Sequence, residues 1–263
     1  MIIPESKNPI QSSIRSYLGD SFSMPALSPE LAPPPYHYKD DHMLNILFKT
    51  DPALVEKWVP LPLKPDPSLP ILFYVGKLTI ANYGLSYNEA ALAVPVLDSS
   101  GKQGFYPLVL YLDQTNPIIG GRETYGYPKK EAEKITFEEQ NGMLSGGITR
   151  YGFPIITYKF ETLQKVSPIP PRVVAPWYLL KFIPSAEKDA PPDVLKLITM
   201  DFEPYTVREL TVGKGTLEFG NSPYDALLSK IPVTEILYSE LIVSDFSMDY
   251  AKVVHDYLAG GAV

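Results

Sequence analysis

Between Ile71 and Phe160 short apolar runs, rich in β-branched and aromatic residues, alternate with turn-forming clusters, and this spacing limits the possible folds more than any other feature. The runs are Ile71–Ile80, Glu89–Val96, Tyr106–Leu112, Glu133–Phe137, Met143–Thr149 and Ile155–Phe160. Ser99-Ser100-Gly101, Asn116-Pro117, Asn141-Gly142 and Tyr151-Gly152 separate them. Strands so short and close predict one antiparallel sheet curling into a barrel or sandwich. Glu139-Gln140-Asn141-Gly142 predicts a hairpin. A strand–helix–strand alternation is missing, which argues against a Rossmann fold or a TIM barrel.

The flanks fit the same picture. Residues 1–35 are rich in Pro and Ser and end in Pro33-Pro34-Pro35, which predicts an extended arm preceding a domain over residues 36–263. His42–Lys49 reads as a strand, and Asp51-Pro52 as the cap and first residue of a short helix. Ser167–Asp193 holds seven prolines and reads as a long loop with an apolar segment at Trp177–Phe182. Strands are predicted at Val194–Phe202, Val207–Val212, Gly215–Phe219 and Thr234–Ser244, with Gly213-Lys214-Gly215 as a hairpin turn. A short helix is predicted at Tyr224–Ser229. A closing helix is predicted at Asp249–Leu258, from the spacing of Tyr250, Val253, Val254 and Tyr257.

Composition narrows the chemistry. The 263 residues are 45% hydrophobic and 20% charged, enough to bury a substantial core. A net charge of −7 demotes nucleic acid as a partner. The absence of cysteine removes thiolate nucleophiles, disulfides and cysteine metal sites. Three histidines, His37, His42 and His255, offer little for a metal centre, so no metal site is expected. No apolar run suits a signal peptide or a membrane span, so the cytosol is the expected compartment.

The densest chemical candidate is Gly120-Gly121-Arg122-Glu123-Thr124-Tyr125-Gly126-Tyr127-Pro128-Lys129-Lys130. An arbitrary Lys-Lys pair is normally a solvated turn. Here Tyr125, Tyr127 and Pro128 can exclude water from an amine, and burial or a second nearby cation lowers a lysine pKa. An ordinary lysine, with pKa about 10.4, is uncharged in only about 0.04% of molecules at neutrality. Moving the pKa near 7 raises that fraction roughly a thousandfold, equivalent to about 4–5 kcal/mol, and gives an amine able to form an imine with a carbonyl compound. Consecutive residues of an extended chain face opposite sides, so one of the two lysines enters a pocket.

These residues resemble the acetoacetate decarboxylase family, itself the standard example of a lysine activated in this way. The resemblance rests on Tyr111-Leu112-Asp113, Asn116-Pro117, Gly121-Arg122-Glu123 and Tyr127-Pro128-Lys129-Lys130. Tyr87-Asn88-Glu89 with Ala93-Val94-Pro95-Val96, Tyr178–Pro184 and Val253–Leu258 support it, so it spans about Tyr36 to Leu258. It implies an α+β fold, mostly antiparallel β, as a curled cone-like barrel with a few short peripheral helices. It places the imine-forming lysine at Lys129, its neighbour at Lys130 and a site carboxylate at Glu89. Tyr74, Arg122, Glu123 and Tyr125 are the expected substrate-binding residues, with a structural ion pair or loop clamp as the other reading of Arg122 and Glu123. No metal or organic cofactor is implied, because the imine is the electron sink, and homo-oligomers are common in the family.

Two positions depart from the pattern: Asp41 stands where the decarboxylases carry an arginine, and Tyr74 where they carry a second pocket glutamate. Decarboxylation of a β-keto acid is therefore one expectation. Imine-based aldol or dehydration chemistry, and a barrel that binds carbonyl ligands without turnover, are the alternatives.

Overall fold

The computed structural model of the chain describes residues 8–172 and 174–259. They form two units, one up to Pro35 and one from Tyr36 onward. In the first, α1 (Pro9–Leu18) replaces part of the expected extended arm. Asn8 caps it, accepting a 2.9 Å bond from the Ile10 N–H, and Pro9 fills the first helical position. The serines at 12, 13 and 16 and the lack of any buried face hide this helix from pattern-based reading.

The second unit is one sheet with short helical connections. In chain order it contains β1 (Tyr36–Lys49), α2 (Pro52–Val55), β2 (Lys64–Pro65), β3 (Ile71–Ile80), β4 (Leu85–Leu97), β5 (Gln103–Leu112) and α3 (Thr115–Gly120). A π-helical turn at Gly121–Tyr125 follows, then β6 (Lys129–Glu131), β7 (Lys134–Gln140), β8 (Met143–Arg150) and β9 (Phe153–Lys165). The chain ends with β10 (Trp177–Ile183), β11 (Val194–Met200), β12 (Phe202–Phe219), β13 (Glu235–Met248) and β14 (Lys252–Asp256). The hydrogen-bonded order is β14-β11-β10-β5-β4-β3-β1-β13-β12-β9-β8-β7, with β2 on β4 and β6 on β5. All pairings are antiparallel except β5 with β6 and with β10. The expected α+β, mostly antiparallel class is what is found. The sheet curls, bringing the Phe73 and Tyr158 rings to 6.0 Å across it, but the ladder does not close and leaves β14 and β7 as edges.

Alternation along the strands sorts side chains into two interiors. Phe73 packs with Phe48, Tyr158 and Phe160 in one apolar cluster, whereas Tyr74, the next residue, joins Tyr87, Leu110 and Trp177 in another. The central strand β4 is buried on both faces from Glu89 to Val96, which explains its nearly unbroken apolar run. Asn141 and Gly142 both adopt positive φ in the β7–β8 turn, as the hairpin signal requires. Asp51 caps α2 through the Ala53 N–H.

Three further expectations fail. Asp249–Leu258 is not a helix: its core is β14, paired with β11, and Val253 is 58% exposed. Pairing with β11 overrides the helical spacing there, and the β-branched Val253 and Val254 favour the sheet edge. Tyr224–Ser229 yields only a 3₁₀ turn at Leu228–Lys230. Gly213-Lys214-Gly215 is not a turn but the middle of β12, which runs unbroken for 18 residues. Gly213 is needed for close approach, because a Cβ there would lie 2.2 Å from the Glu161 carbonyl oxygen of β9. Gly213→Ala is accordingly expected to destabilise the protein by about 1–3 kcal/mol in chemical denaturation. An unchanged midpoint would show that β9 can yield.

Candidate active site

Lys129 owes its position to the register of β6. The Leu110 N–H donates to the Pro128 carbonyl at 3.0 Å, and the parallel ladder then sets Lys129 beside Leu110 and Lys130 beside Tyr111. Leu110 and Tyr111 belong to different interiors, so the two lysines diverge. Lys129 is 7% exposed and faces the Tyr74–Trp177 cluster. The Lys130 ammonium, 40% exposed, pairs with Asp225 at 2.7 Å. Asp225 also receives Arg150 at 2.6 Å and the Tyr111 hydroxyl at 2.9 Å. Burial opposes ionisation of Asp225, but these three donors hold its carboxyl below the usual carboxylate range. Lys130 is therefore anchored away from the Lys129 amine.

What stands beside the Lys129 nitrogen is a carboxylate, Glu89 Oε2 at 2.9 Å. Glu89 lies on β4 opposite Gly76 and Leu112 and is 4% exposed. Its other oxygen, Oε1, accepts a short hydrogen bond from the Tyr74 hydroxyl of β3. Burial first, then the Glu89 charge, push the Tyr74 phenol well above its ordinary pKa, so it serves as a neutral donor. The Tyr127 and Tyr87 rings face the Lys129 nitrogen at 5.1 and 5.8 Å. Tyr87 precedes Glu89 by two residues on β4 and so shares its face.

These groups line a cavity of about 160 Å³ whose remaining walls include Met43, Leu72, Trp177, Ile242 and Phe246. Gly121, in the π-helical turn, makes room for the amine's stem: a Cβ there would lie 2.6 Å from Lys129 Cδ. The expected substrate-binding residues divide accordingly. Tyr74 lines the cavity, but Arg122, Glu123 and Tyr125 do not. The exposed Arg122 donates to the Lys129 carbonyl at 3.1 Å, Glu123 is exposed, and the Tyr125 hydroxyl donates to the Asp249 carbonyl. Arg122 thus braces the lysine segment, while Tyr125 ties its turn to the residue after β13. Nearness in sequence placed them with Lys129; the turn between them separates the faces. Sequence reasoning missed Asn45, Tyr38, Trp177 and Tyr205 on the wall. A lone polar Asn45 inside Met43–Leu47 was the one legible signal.

Asp41 has a different task. The β1–β3 register slips between Tyr38 and His42, at a bulge where Asp40 adopts φ 56°. Asp41 Oδ1 accepts the Thr79 N–H at 2.7 Å within this gap, while its buried Oδ2 has no hydrogen-bond partner among the described residues. Burial is the main cause that raises its carboxyl to about 8. It is absent from the cavity lining and instead links β1 to β3 at the bulge.

The raised value has a defined sign. The folded chain holds a proton on Asp41 that the unfolded chain releases near pH 4, so this group's stabilisation is full below that point and fades as the pH rises to about 8. Asp41→Asn removes that dependence. Its stability relative to the original protein, measured by urea denaturation, is expected to increase steadily from pH 5 to pH 8. A constant difference would refute the buried protonated carboxyl.

Comparison with known proteins adds an independent result. The profile of the acetoacetate decarboxylase (ADC) family matches residues 23–258. An acetoacetate decarboxylase of Burkholderia multivorans is 32% identical over 243 residues, covering 91% of this chain and 96% of that protein. One of Chromobacterium violaceum is 30% identical over 241 residues, covering 90% and 96%. A solved acetoacetate decarboxylase superposes with a TM-score of 0.82 at 28% identity, covering 93% of this chain and 99% of its own. The Legionella pneumophila acetoacetate decarboxylase gives 0.76 at 26% identity, covering 97% and 100%. The enduracididine biosynthesis enzyme MppR shares the fold at 14% identity, with a TM-score of 0.76 and coverage of 90% and 98%.

Proposed function

Because the chain belongs to the acetoacetate decarboxylase family, we propose that it is a carbon–carbon lyase that decarboxylates a β-keto acid through an imine on Lys129, without metal or organic cofactor. The supporting observation is a buried amine on an aromatic cavity wall with a carboxylate 2.9 Å from its nitrogen. The substrate is a small keto acid, and a cytosolic homo-oligomer is part of the proposal, resting on the family resemblance. Among the described residues no helix is long and apolar enough to cross a membrane.

Glu89 is the base within reach of the ammonium proton. Once it takes that proton, the Lys129 lone pair attacks the ketone carbon. The proton then leaves with the displaced oxygen as water, giving a protonated imine and restoring the Glu89 carboxylate. The bond to the substrate carboxylate breaks next: CO₂ departs and the electron pair neutralises the iminium as an enamine. A proton from water, relayed by Glu89, reaches the enamine carbon. Hydrolysis then frees the ketone and the lysine, so each turnover consumes one proton. Tyr74 holds Glu89 in place through all of this, since its hydroxyl occupies the oxygen that Lys129 does not use. The neutral phenol at the second carboxylate position also favours the alternative, imine-based aldol or dehydration chemistry, in which the same intermediate acidifies the adjacent carbon.

Borohydride reduction in the presence of acetoacetate or acetone, followed by peptide mapping, is expected to place an adduct on Lys129. Lys129→Ala should abolish it and Lys130→Ala should retain it. No adduct with any ketone or aldehyde would overturn the enzymatic assignment and leave a carbonyl-binding barrel, and an adduct without CO₂ release would transfer it to the aldol or dehydration class. Gly121→Ala, whose methyl group collides with the Lys129 stem, is expected to keep the melting temperature within a few degrees while kcat falls at least tenfold. Unchanged kcat would show that the stem has another path.

A further inference from the structure

The cavity has a second polar group on its wall, across Tyr74 from Glu89 and Lys129. Asn45 on β1 stands opposite Glu240 of β13 and opposite Tyr74 of β3. Residues opposite one another in a ladder share a face. Glu240, Asn45 and Tyr74 thus form a row across three strands, and the Tyr74–Glu89 bond extends it to Lys129. At the other end Arg172 grips Glu240 with two bonds, 2.7 Å to Oε1 and 2.6 Å to Oε2. Arg172 is partly exposed, whereas Glu240 is only 5% exposed.

This arrangement aims the Asn45 amide. Glu240 only accepts hydrogen bonds when ionised, and its Oε1 takes one from Asn45 Nδ2 at 3.1 Å. That bond fixes which end of the amide faces Glu240 and uses one of its two N–H groups. Asn45 itself lines the cavity. Arg172 and Glu240 cancel in charge, so Asn45 offers a neutral, oriented donor.

We infer that Asn45, held by the Glu240–Arg172 pair, receives the carboxylate of the substrate and sets its orientation, with the ketone carbon at Lys129. The inference rests on the imine proposal above. Three observations converge on it. Position 41 supplies no guanidinium, and Lys129 and Glu89 are the charged residues of the lining. The Glu89 charge repels a carboxylate from its own end of the cavity, toward the Asn45 end. The cavity, lined by both Asn45 and Lys129, has about 160 Å³, close to the roughly 150 Å³ that accommodates benzene, so it takes one compact molecule. A neutral donor also suits the chemistry. A full cation would bind the carboxylate more strongly and stabilise the charge that must flow toward the iminium. The substrate class is accordingly a short β-keto acid of about benzene size with an apolar group on the ketone side.

The test compares a ligand that has the carboxylate with one that lacks it. Decarboxylation of acetoacetate gives kcat/KM, and borohydride trapping of acetone on Lys129 reports imine formation alone. Asn45→Ala is expected to lower kcat/KM for acetoacetate roughly tenfold or more, mostly through KM, and Asn45→Asp to lower it further. Acetone trapping should stay within about twofold of the original protein in both variants. Glu240→Gln, a positioning change, should shift KM for acetoacetate in the same direction and spare acetone. Equal losses with both ligands, or an unchanged kcat/KM, would overturn the role of Asn45 while the imine proposal stands. Failure of the original protein to trap acetone or acetoacetate would instead remove the imine proposal, and this inference with it.

Discussion

The site depends on an ion pair held out of water, Lys129 with Glu89, both less than a tenth exposed. Burying two charges costs several kcal/mol per ion unless geometry and further hydrogen bonds compensate. Here the nitrogen lies 2.9 Å from one carboxylate oxygen, the Tyr74 hydroxyl satisfies the other, and two tyrosine rings face the cation. Removing either partner would leave an uncompensated charge in an apolar interior. The pair therefore has to be supported by rigid elements, and it is: Glu89 and Tyr74 lie on adjacent central strands, and Lys129 begins a strand tied to a third.

Rigidity around the pair comes from the opposite face of the same segment. Lys130, Arg150 and Tyr111 converge on Asp225, a buried knot that secures β6 from its outer side. The adjacent lysines thus divide the work, one anchoring and one presented to the cavity. A second cation beside the amine, the arrangement suggested by the lysine pair, gives way to a carboxylate that can accept its proton. This follows from strand alternation and needs no special device.

The sequence revealed most strongly the features set by short-range chemistry. The β3 boundaries, the Asn141-Gly142 hairpin and the Asp51 cap are where local patterns placed them, because turn residues and apolar alternation act within a few positions. Lys129, Glu89 and Tyr74 were legible from the motif and its upstream strand, and the structure gathers them at one wall. Arg122, Glu123 and Tyr125 were placed there by proximity along the chain, which a π-helical turn and a left-handed glycine at 126 redirect. Gly213 and the Asp249–Leu258 segment misled for a related reason. Their roles are decided by β9 and β11, distant in sequence, and no local spacing encodes which neighbour a strand will meet. Asn45 needed the same long-range knowledge, since its meaning lies in Glu240 and Arg172.

The two-sidedness of β3 has a consequence for how such a protein can diversify. Phe73 and Val75 point into a scaffold interior, while Tyr74 points into the cavity chamber. Side chains on the chamber side can drift without disturbing the scaffold, and those on the scaffold side can be repacked without moving the amine. A lineage with this layout can change what its cavity accepts by altering every second residue of a few central strands, keeping the framework and Lys129 as inherited constants.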